Sequence, residues 1–161
     1  MAQIPSGDDE VSKTARIALN LLQEKLIKSR RYTVLDMGCG EGRDIRFLSS
    51  KLENLKMKGI DISLEAIGKA RKLNSGNEKV SFECMDWKEL DDTQHDVVYI
   101  SGVYHFFPSA ERRVFLSKIK KILKPGGFLF LHTLSSNDTQ YFGKGVPVKG
   151  DLNSFQGEYF L

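Results

Sequence analysis

The stretch 34–42, Val-Leu-Asp-Met-Gly-Cys-Gly-Glu-Gly, decides the fold. Its apolar start predicts a short buried strand over 32–37, and glycines follow at positions 38, 40 and 42. Glycine has no Cβ and adopts positive φ, so a ligand can approach the backbone of such a loop closely. The free N–H groups at the start of the helix that follows favour an anionic group. The segment therefore predicts a strand, a ligand-binding loop and a helix, in that order.

The spacing of these glycines separates the loop from two common nucleotide-binding loops. The dinucleotide fingerprint is G-x-G-x-x-G, whereas Arg43 occupies the position of its third glycine. The P-loop pattern G-x-x-x-x-G-K-[ST] is absent. A nicotinamide dehydrogenase and a nucleoside triphosphatase are therefore disfavoured, and a glycine turn without any ligand stays open as the alternative at this point.

Helical and strand-like segments alternate along the rest of the chain. Apolar spacing predicts helices over 8–31, 42–52, 63–73 and 109–123, and strands over 32–37, 56–62, 80–86, 96–102 and 128–134. Asp8 or Asp9 is the predicted cap of the first helix, and Ser63 is that of the third. This alternation is typical of an α/β three-layer sandwich, in which an open, mainly parallel sheet carries helices on both faces.

Acidic residues stand where the first two strands end, which is the edge where ligands bind in such sheets. Asp36 faces the glycine loop, and its carboxylate suits a ligand that carries a positive charge. Asp61 follows the second strand, where a carboxylate accepts hydrogen bonds from both hydroxyls of a ribose. A helix cap or an ordinary loop residue is the alternative for Asp61.

The end of the third strand suggests a site for a purine ring. Asp86 is placed to accept from an adenine amino group, with Met85 or Trp87 beside the ring, and Ile62 is placed to cover the other face. The alternatives are that Asp86 caps the short turn after it and that Ile62 is a core residue.

Together these motifs resemble the class I S-adenosylmethionine-dependent methyltransferases. The resemblance covers 32–134 and rests on 34–42, 59–63, Asp86, 96–98 with 104–106, and 123–128. It implies a sheet of order 3-2-1-4-5, S-adenosylmethionine as cofactor and S-adenosylhomocysteine as product. The cofactor's methionine part would lie against the loop and the end of strand four: Asp36, Gly38, Cys39, Gly40 and Ser101. Its nucleoside would lie against Asp61, Ile62, Met85, Asp86 and Trp87.

The acceptor is less constrained than the cofactor. His105 is the best candidate for a general base and Tyr104 a weaker one, and simple packing is the alternative for both. No Asn/Asp-Pro-Pro-Tyr/Phe signature and no RNA-binding module are present, so we expect a small-molecule acceptor. The alternatives are a cofactor-binding protein that needs a partner or further residues for catalysis, and a methyltransferase acting on rRNA, tRNA or protein.

Composition supports a soluble, cytoplasmic protein. The 161 residues are 40% hydrophobic, with a net charge of +3, and 1–10 contain no apolar signal segment. No apolar run approaches the 20 or so residues of a membrane span. Nucleic acid is an unexpected partner because the basic excess is small. Cys39 and Cys84 are expected to be reduced and mostly buried, and their spacing predicts no metal site.

The length raises a further expectation. The family usually has seven strands, whereas five are placed by residue 134 and the rest of the sequence looks loop-like. We therefore divide the chain into a helical segment (1–31), a cofactor-binding domain (32–134) and a tail (135–161) in which 141–145 covers the active site. The last two strands of the usual sheet would be missing, and the tail or a second copy of the chain would cover the edge of strand five.

Overall fold

The computed structural model describes residues 11–138, 143 and 146–156, and its main element is a five-stranded parallel sheet. The strands are β1 (Tyr32–Met37), β2 (Leu55–Asp61), β3 (Val80–Cys84), β4 (His95–Ser101) and β5 (Leu123–His132). The helices are α1 (Lys13–Lys25), α2 (Arg43–Lys51), α3 (Leu64–Leu73) and α4 (Ser109–Ile122), with 3₁₀ turns at Trp87–Glu89 and Tyr104–Phe106. The order β3-β2-β1-β4-β5 confirms the predicted topology.

Side chains alternate between the two faces of the sheet along each strand, and an apolar core covers each face. In β1, Val34 belongs to one apolar core with α1, α2 and α3, whereas Leu35 belongs to a second core with α4. The predicted three-layer sandwich is thereby confirmed. The strand ends that carry the candidate site therefore project from a rigid, two-sided core.

The start of a helix agrees with the sequence prediction where the capping residue directly precedes the helix. Ser63 caps α3 as predicted, since its hydroxyl accepts from the amide of Ala66 at 3.2 Å. The first helix is shorter than the predicted 8–31, because the Ser12 hydroxyl caps it and the chain is extended again at Leu26. Asp8 and Asp9 lie outside the described residues. No helix in the described residues has the length and apolarity needed to cross a bilayer.

The C-terminal part differs from the prediction in two ways. β5 begins at Leu123, and residues 124–127 bulge out of it, because the register jumps from His95–Leu123 to Val97–Phe128. The tail contains two strands, β6 (Val146–Val148) and β7 (Asp151–Gln156), which pair with each other in a separate antiparallel sheet. A loop-like tail was therefore wrong for 146–156.

Neither tail strand pairs with β5. Within the described residues β5 pairs with β4 alone, so neither β6 nor β7 extends the sheet at this edge, and a cover from the tail stays a prediction. Of the predicted cover 141–145, only Gly143 is among the described residues.

A buried aspartate fixes the opposite end of the sheet. The Asp96 carboxylate accepts from the Thr33 amide and hydroxyl at 2.8 and 3.0 Å, from Arg30 at 2.8 Å and from Lys124 at 2.9 Å. Burial opposes ionisation, but the hydrogen bonds from Thr33 and Lys124 prevail and lower the pKa of Asp96 to about 2. Asp96 thus joins β1, β4 and the bulge of β5.

We expect Asp96→Asn to lower the free energy of unfolding by about 1–3 kcal/mol, because the buried side chain can no longer accept charge-assisted hydrogen bonds from Arg30 and Lys124. The pKa of Asp96 is depressed in the folded state, so this contribution is present above about pH 4 and is lost as the pH falls towards 2. Urea unfolding of both proteins between pH 7 and pH 2.5 measures it. Asp92→Asn, which breaks an exposed pair with Lys118, is the matched control; equal effects of the two substitutions at pH 7 would contradict the assignment.

Candidate functional site

A cavity of about 370 Å³ opens at the carboxyl ends of β1 and β4. Its wall contains five of the residues that the sequence predicted for the cofactor: Asp36, Gly38, Cys39, Gly40 and Ser101. Parallel neighbouring strands bring these residues together, because β1 and β4 end at the same edge. The structure therefore places the predicted methionine end of the site in one cavity.

The glycine loop is shaped by contacts that a side chain would block. Gly38 has a φ of 77°, and a Cβ on it would stand 2.1 Å from Cγ2 of Val103. This close packing holds the Tyr104–Phe106 turn against the loop. Gly40 has a φ of 52° and open space where a Cβ would be, so its backbone faces the cavity directly. The loop thus combines a packed glycine with one that leaves room for a ligand.

Asp61 connects this loop to the start of α3. One carboxylate oxygen accepts from the Gly40 amide at 2.9 Å, and the other accepts from the Ser63 amide at 2.9 Å. Each carboxylate oxygen has a further lone pair, so two ligand hydroxyls can still be accepted. Asp61 therefore fixes the backbone of its loop, which was the alternative interpretation of this residue. Its orientation also suits the predicted contact with a ribose.

Asp36 is a buried carboxylate without a counter-charge. Its residue is 3% exposed, and no hydrogen bond or ion pair reaches the carboxylate from the described residues. Burial raises its pKa well above the ordinary value, and the charges of Asp44 and Asp61 raise it further. Burying a carboxylate without a compensating charge raises the free energy of the folded state, so a cationic ligand in the cavity would be stabilised at this position.

The sequence analysis missed a polar cluster at the floor of the cavity. Tyr99 donates to Asp44 at 2.7 Å, and the Ser12 hydroxyl donates to the same oxygen at 2.6 Å. Burial is the main cause that raises the pKa of Tyr99. A signal did exist, since Tyr99 stands two residues before Ser101 on the same strand face and its buried hydroxyl needs a partner. The cluster fixes the start of α1 to the cavity wall.

The predicted adenine side is an exposed apolar surface next to Asp61. Ile62 is 75% exposed, so the alternative of a core residue is wrong. Met85 is half-buried, and its amide donates to the Asp61 carbonyl at 3.0 Å. These positions leave room for a flat ring at the ends of β2 and β3.

Asp86 and Trp87 have clear structural roles. Asp86 caps the Trp87–Glu89 turn in a reciprocal capping box with Glu89, which was the alternative interpretation of this residue. The Trp87 indole is 9% exposed and meets the Phe115 ring edge-on at 5.1 Å between centroids. The indole therefore packs within the second apolar core. Contacts of Asp86 and Trp87 with the adenine stay predictions.

The two candidate catalytic residues lie beside the cavity and not in its wall. Tyr104 packs on Phe115, with centroids 6.1 Å apart, and the Arg112 guanidinium lies 5.6 Å from its ring. His105 is half-buried, and its Nδ1 is buried with no hydrogen-bond partner in the described residues. Burial lowers the pKa of His105, and the nearby charges of His132 and Arg112 lower it further. The imidazole is therefore neutral at pH 7, as a proton acceptor must be.

Both cysteine thiols are free in the structure. Burial, followed by the charges of Asp36 and Asp61, raises the pKa of Cys39 far above its ordinary value. The Cys39 thiol thus stays protonated. Cys84 is exposed, so the expectation of a buried thiol was wrong there.

Comparison with known proteins identifies the family. Residues 34–127 match the family described as "Methyltransferase domain". The ubiquinone biosynthesis O-methyltransferase of Burkholderia vietnamiensis is 36% identical over 115 residues, which is 66% of this chain and 46% of that protein. The chain spans about a third to a half of the length of the curated relatives it matches.

Solved structures agree with that match. The plantazolicin methyltransferase BpumL in complex with SAH is 27% identical, with a TM-score of 0.56 over 69% of this chain and 41% of that one. The putative methyltransferase of Haloferax volcanii, in complex with the Trm112 methyltransferase activator, is 30% identical, with a TM-score of 0.58 over 71% of this chain and 49% of that one. With its β-strand order and the match over 34–127, the chain belongs to the family of methyltransferase domains.

Proposed function

We propose that this chain binds S-adenosylmethionine and transfers its methyl group to a small-molecule acceptor. The observation that carries the proposal is the buried Asp36 carboxylate, which has no partner among the described residues and lies in the wall of the cavity beside the glycine loop. A site of this kind selects a ligand with a positive charge, and the amino-acid end of the cofactor carries an ammonium group. A dinucleotide or a phosphate ester would bring further negative charge towards Asp36, although Arg43 and Arg46 also line the cavity and Arg43 is paired with Asp44 at 3.6 Å.

The residues present fit the cofactor along its whole length. Asp36 and the open face of Gly40 would hold the methionine end, and Asp61 would hold the ribose hydroxyls. Ile62 and Met85 would contact the adenine ring, which would cover apolar surface that is otherwise exposed. When bound, the cofactor supplies an electrophilic methyl group on a sulfonium.

The chain's own residues then align the acceptor and remove its proton. Displacement at the methyl carbon needs the two reactants about 3–3.5 Å apart and in line, and positioning of this kind lowers the barrier by several kcal/mol. The Val103 contact with Gly38 fixes the Tyr104–Phe106 turn beside the cavity. His105, neutral at pH 7, is the candidate that would take the proton of a hydroxyl or amine acceptor.

The relatives support a small-molecule acceptor. The Burkholderia vietnamiensis protein is named for ubiquinone biosynthesis, and BpumL is described with an analogue of plantazolicin. We infer that this chain shares the cofactor half with them and that its acceptor is also small.

Isothermal titration with S-adenosylhomocysteine tests the cofactor site. We expect Asp61→Ala to weaken binding at least tenfold, because the ribose and the Gly40 amide lose the same partner. Asp91→Ala, in an exposed loop, should bind like the wild type and serves as the matched control. Absence of binding at millimolar ligand, or unchanged affinity of Asp61→Ala, would refute the proposal.

Release of S-adenosylhomocysteine with a panel of small hydroxylated and amino compounds separates an active enzyme from a cofactor-binding protein that lacks catalysis. Transfer to at least one compound is the expected result. Cofactor binding without methyl transfer to any of these compounds would favour the alternative of a cofactor-binding protein that lacks catalysis.

Asp36→Asn should separate stability from binding. The variant without ligand should be more stable at pH 7 by about 1–3 kcal/mol, because it removes an uncompensated buried charge. The pKa of Asp36 is raised in the folded state, so the wild type regains this stability as the pH falls through that raised pKa, and the variant does not. Thermal unfolding with and without S-adenosylhomocysteine measures both effects, since the ligand should stabilise the wild type far more. A variant that is destabilised without ligand and still gains full stabilisation from it would contradict the role of Asp36; Asp91→Asn controls for the charge change.

We also propose that a second copy of the chain covers the edge of β5. The outer side of β5 is unpaired within the described residues, and Leu129 and Leu131 are 42% and 37% exposed. Sedimentation velocity from micromolar to submillimolar protein should show a dimer, and a dimer should weaken in Leu131→Lys. A monomer over this whole range would refute it.

A further inference from the structure

The side chain of Asp36 lies between two neighbouring strands that give it no hydrogen-bond donor from their described side chains. In register, Asp36 pairs with Gly59 of β2 on one side and with Tyr99 of β4 on the other. Gly59 has no side chain, and the Tyr99 hydroxyl donates to Asp44 at 2.7 Å. The Asp36 residue is 3% exposed, and no hydrogen bond or ion pair reaches its carboxyl group from the part of the chain that the structure describes. Since Asp36 lines the cavity, a partner for its carboxyl group must come from there.

Two other carboxylates lie close to Asp36, and each has donors of its own. Asp44, in the first turn of α2, lines the same cavity and accepts hydrogen bonds from two hydroxyl groups. Asp61, at the end of β2, accepts from the amide of Gly40, which also lines the cavity. Ionisation of Asp36 therefore adds a negative charge beside two that are already stabilised, and like charges disfavour it. Of the three acids, Asp36 gains most from a proton.

The other titratable groups of the cavity wall do not compensate Asp36. They are Cys39, Glu41, Arg43 and Arg46. The Cys39 thiol is protonated, and Glu41 adds negative charge. Arg43 lies 3.6 Å from Asp44, and neither arginine forms an ion pair with Asp36 among the residues described. A compensating charge for Asp36 is therefore left to a ligand.

Burial without a partner has a general consequence for an acid. An ionised carboxyl group is costly in a protein interior, so the group takes up a proton and becomes neutral instead. In agreement, burial raises the pKa of Asp36 well above its ordinary value, and the charges of Asp44 and Asp61 raise it further. A cation in the cavity has the opposite effect, because it stabilises the ionised form. A proton and a ligand cation thus compete for one carboxyl group.

We propose that Asp36 holds a proton before the cofactor binds and exchanges it for the ammonium group of the cofactor. This inference rests on the proposed function and specifies how pH regulates its cofactor site. In the exchange the O–H bond of the carboxyl group breaks, the proton passes to the solvent, and the carboxylate accepts a hydrogen bond from the ammonium group. The negative charge of Asp36 is thereby compensated in both states, first by the proton and then by the ligand.

The exchange makes the affinity for the cofactor depend on pH with a definite sign. The pKa of Asp36 is raised without the ligand, and the ammonium group lowers it. Binding therefore releases a proton at any pH between these two pKa values and releases none above the higher one. Within that interval the affinity falls about tenfold for each unit by which the pH drops. A ligand without an ammonium group leaves the proton on Asp36.

Isothermal titration counts the exchanged protons directly. The whole chain is titrated with S-adenosylhomocysteine at pH 5.5 in buffers of different ionisation enthalpy, since a released proton adds the enthalpy of the buffer to the measured heat. We expect about one proton to be released per bound ligand. The dissociation constant should also fall as the pH is raised from 5 to 7, a range in which the α-amino group of the ligand stays protonated. 5′-Methylthioadenosine, which lacks the amino-acid group, is the matched probe and should bind without releasing a proton.

Variants assign the released proton to Asp36. Asp36→Asn should release no proton, and its affinity should not depend on pH between 5 and 7. Asp91→Asn, which removes an exposed carboxylate, is the matched control and should release as many protons as the wild type. If Asp36→Asn binds too weakly to be measured, the comparison of the two ligands on the wild type decides.

The outcomes separate this inference from the proposed function. S-adenosylhomocysteine that binds at pH 5.5 without releasing a proton would overturn the exchange and leave the proposed function in place. Equal proton release with 5′-methylthioadenosine, or the same release from Asp36→Asn, would overturn it in the same way. Absence of S-adenosylhomocysteine binding at every pH would instead refute the proposed function, and the exchange with it.

Discussion

A negative charge is buried at the end of the central strand without a partner in the described residues, and the rest of the site is arranged around it. Burial raises the pKa of Asp36, and the charges of Asp44 and Asp61, which both act on it, raise it further. Asp61 is stabilised by two backbone amides, and Asp44 by Tyr99 and Ser12. Asp36 alone has no such donor. Its charge is relieved either by protonation or by a cation, so the position favours a ligand that carries a positive charge.

The opposite end of the same strands shows how the fold tolerates this cost. There Asp96 accepts four hydrogen bonds and joins β1 to β4 and the bulge of β5. Asp36 and Asp96 are both almost fully buried aspartates, yet their pKa values move in opposite directions because only one of them has donors. Because the hydrogen bonds of Asp96 hold the amino ends of these strands firmly, the sheet tolerates at their carboxyl ends a carboxylate that lacks donors. Positions that break the usual rules of burial in this way are generally functional sites.

The sequence predicted those parts of the molecule that depend on neighbouring residues. The alternation of strands and helices, the glycine loop and the Ser63 cap are local patterns, and all of them are present. The missed features depend on contacts between distant residues. Tyr99 and Asp44 are 55 positions apart, and Ser12 and Tyr99 are 87 apart, so no local pattern connects them. The first helix ended early for a different reason: the chain is extended at Leu26, and the Ile27 amide, within the predicted 8–31, donates to the Tyr32 hydroxyl at 3.0 Å. The β6–β7 pair was missed because its sequence lacks apolar alternation.

The negative charges at the proposed cofactor end bear on how the site would accelerate methyl transfer. A sulfonium loses its positive charge during the reaction. Carboxylates at that end would therefore stabilise the reactant at least as much as the transition state, and only differential stabilisation accelerates a reaction. Charge of this kind brings the reactants in and orients them. Under the proposed function the rate would then depend on alignment in a dry cavity, to which the close packing of Gly38 on Val103 would contribute by fixing the Tyr104–Phe106 turn.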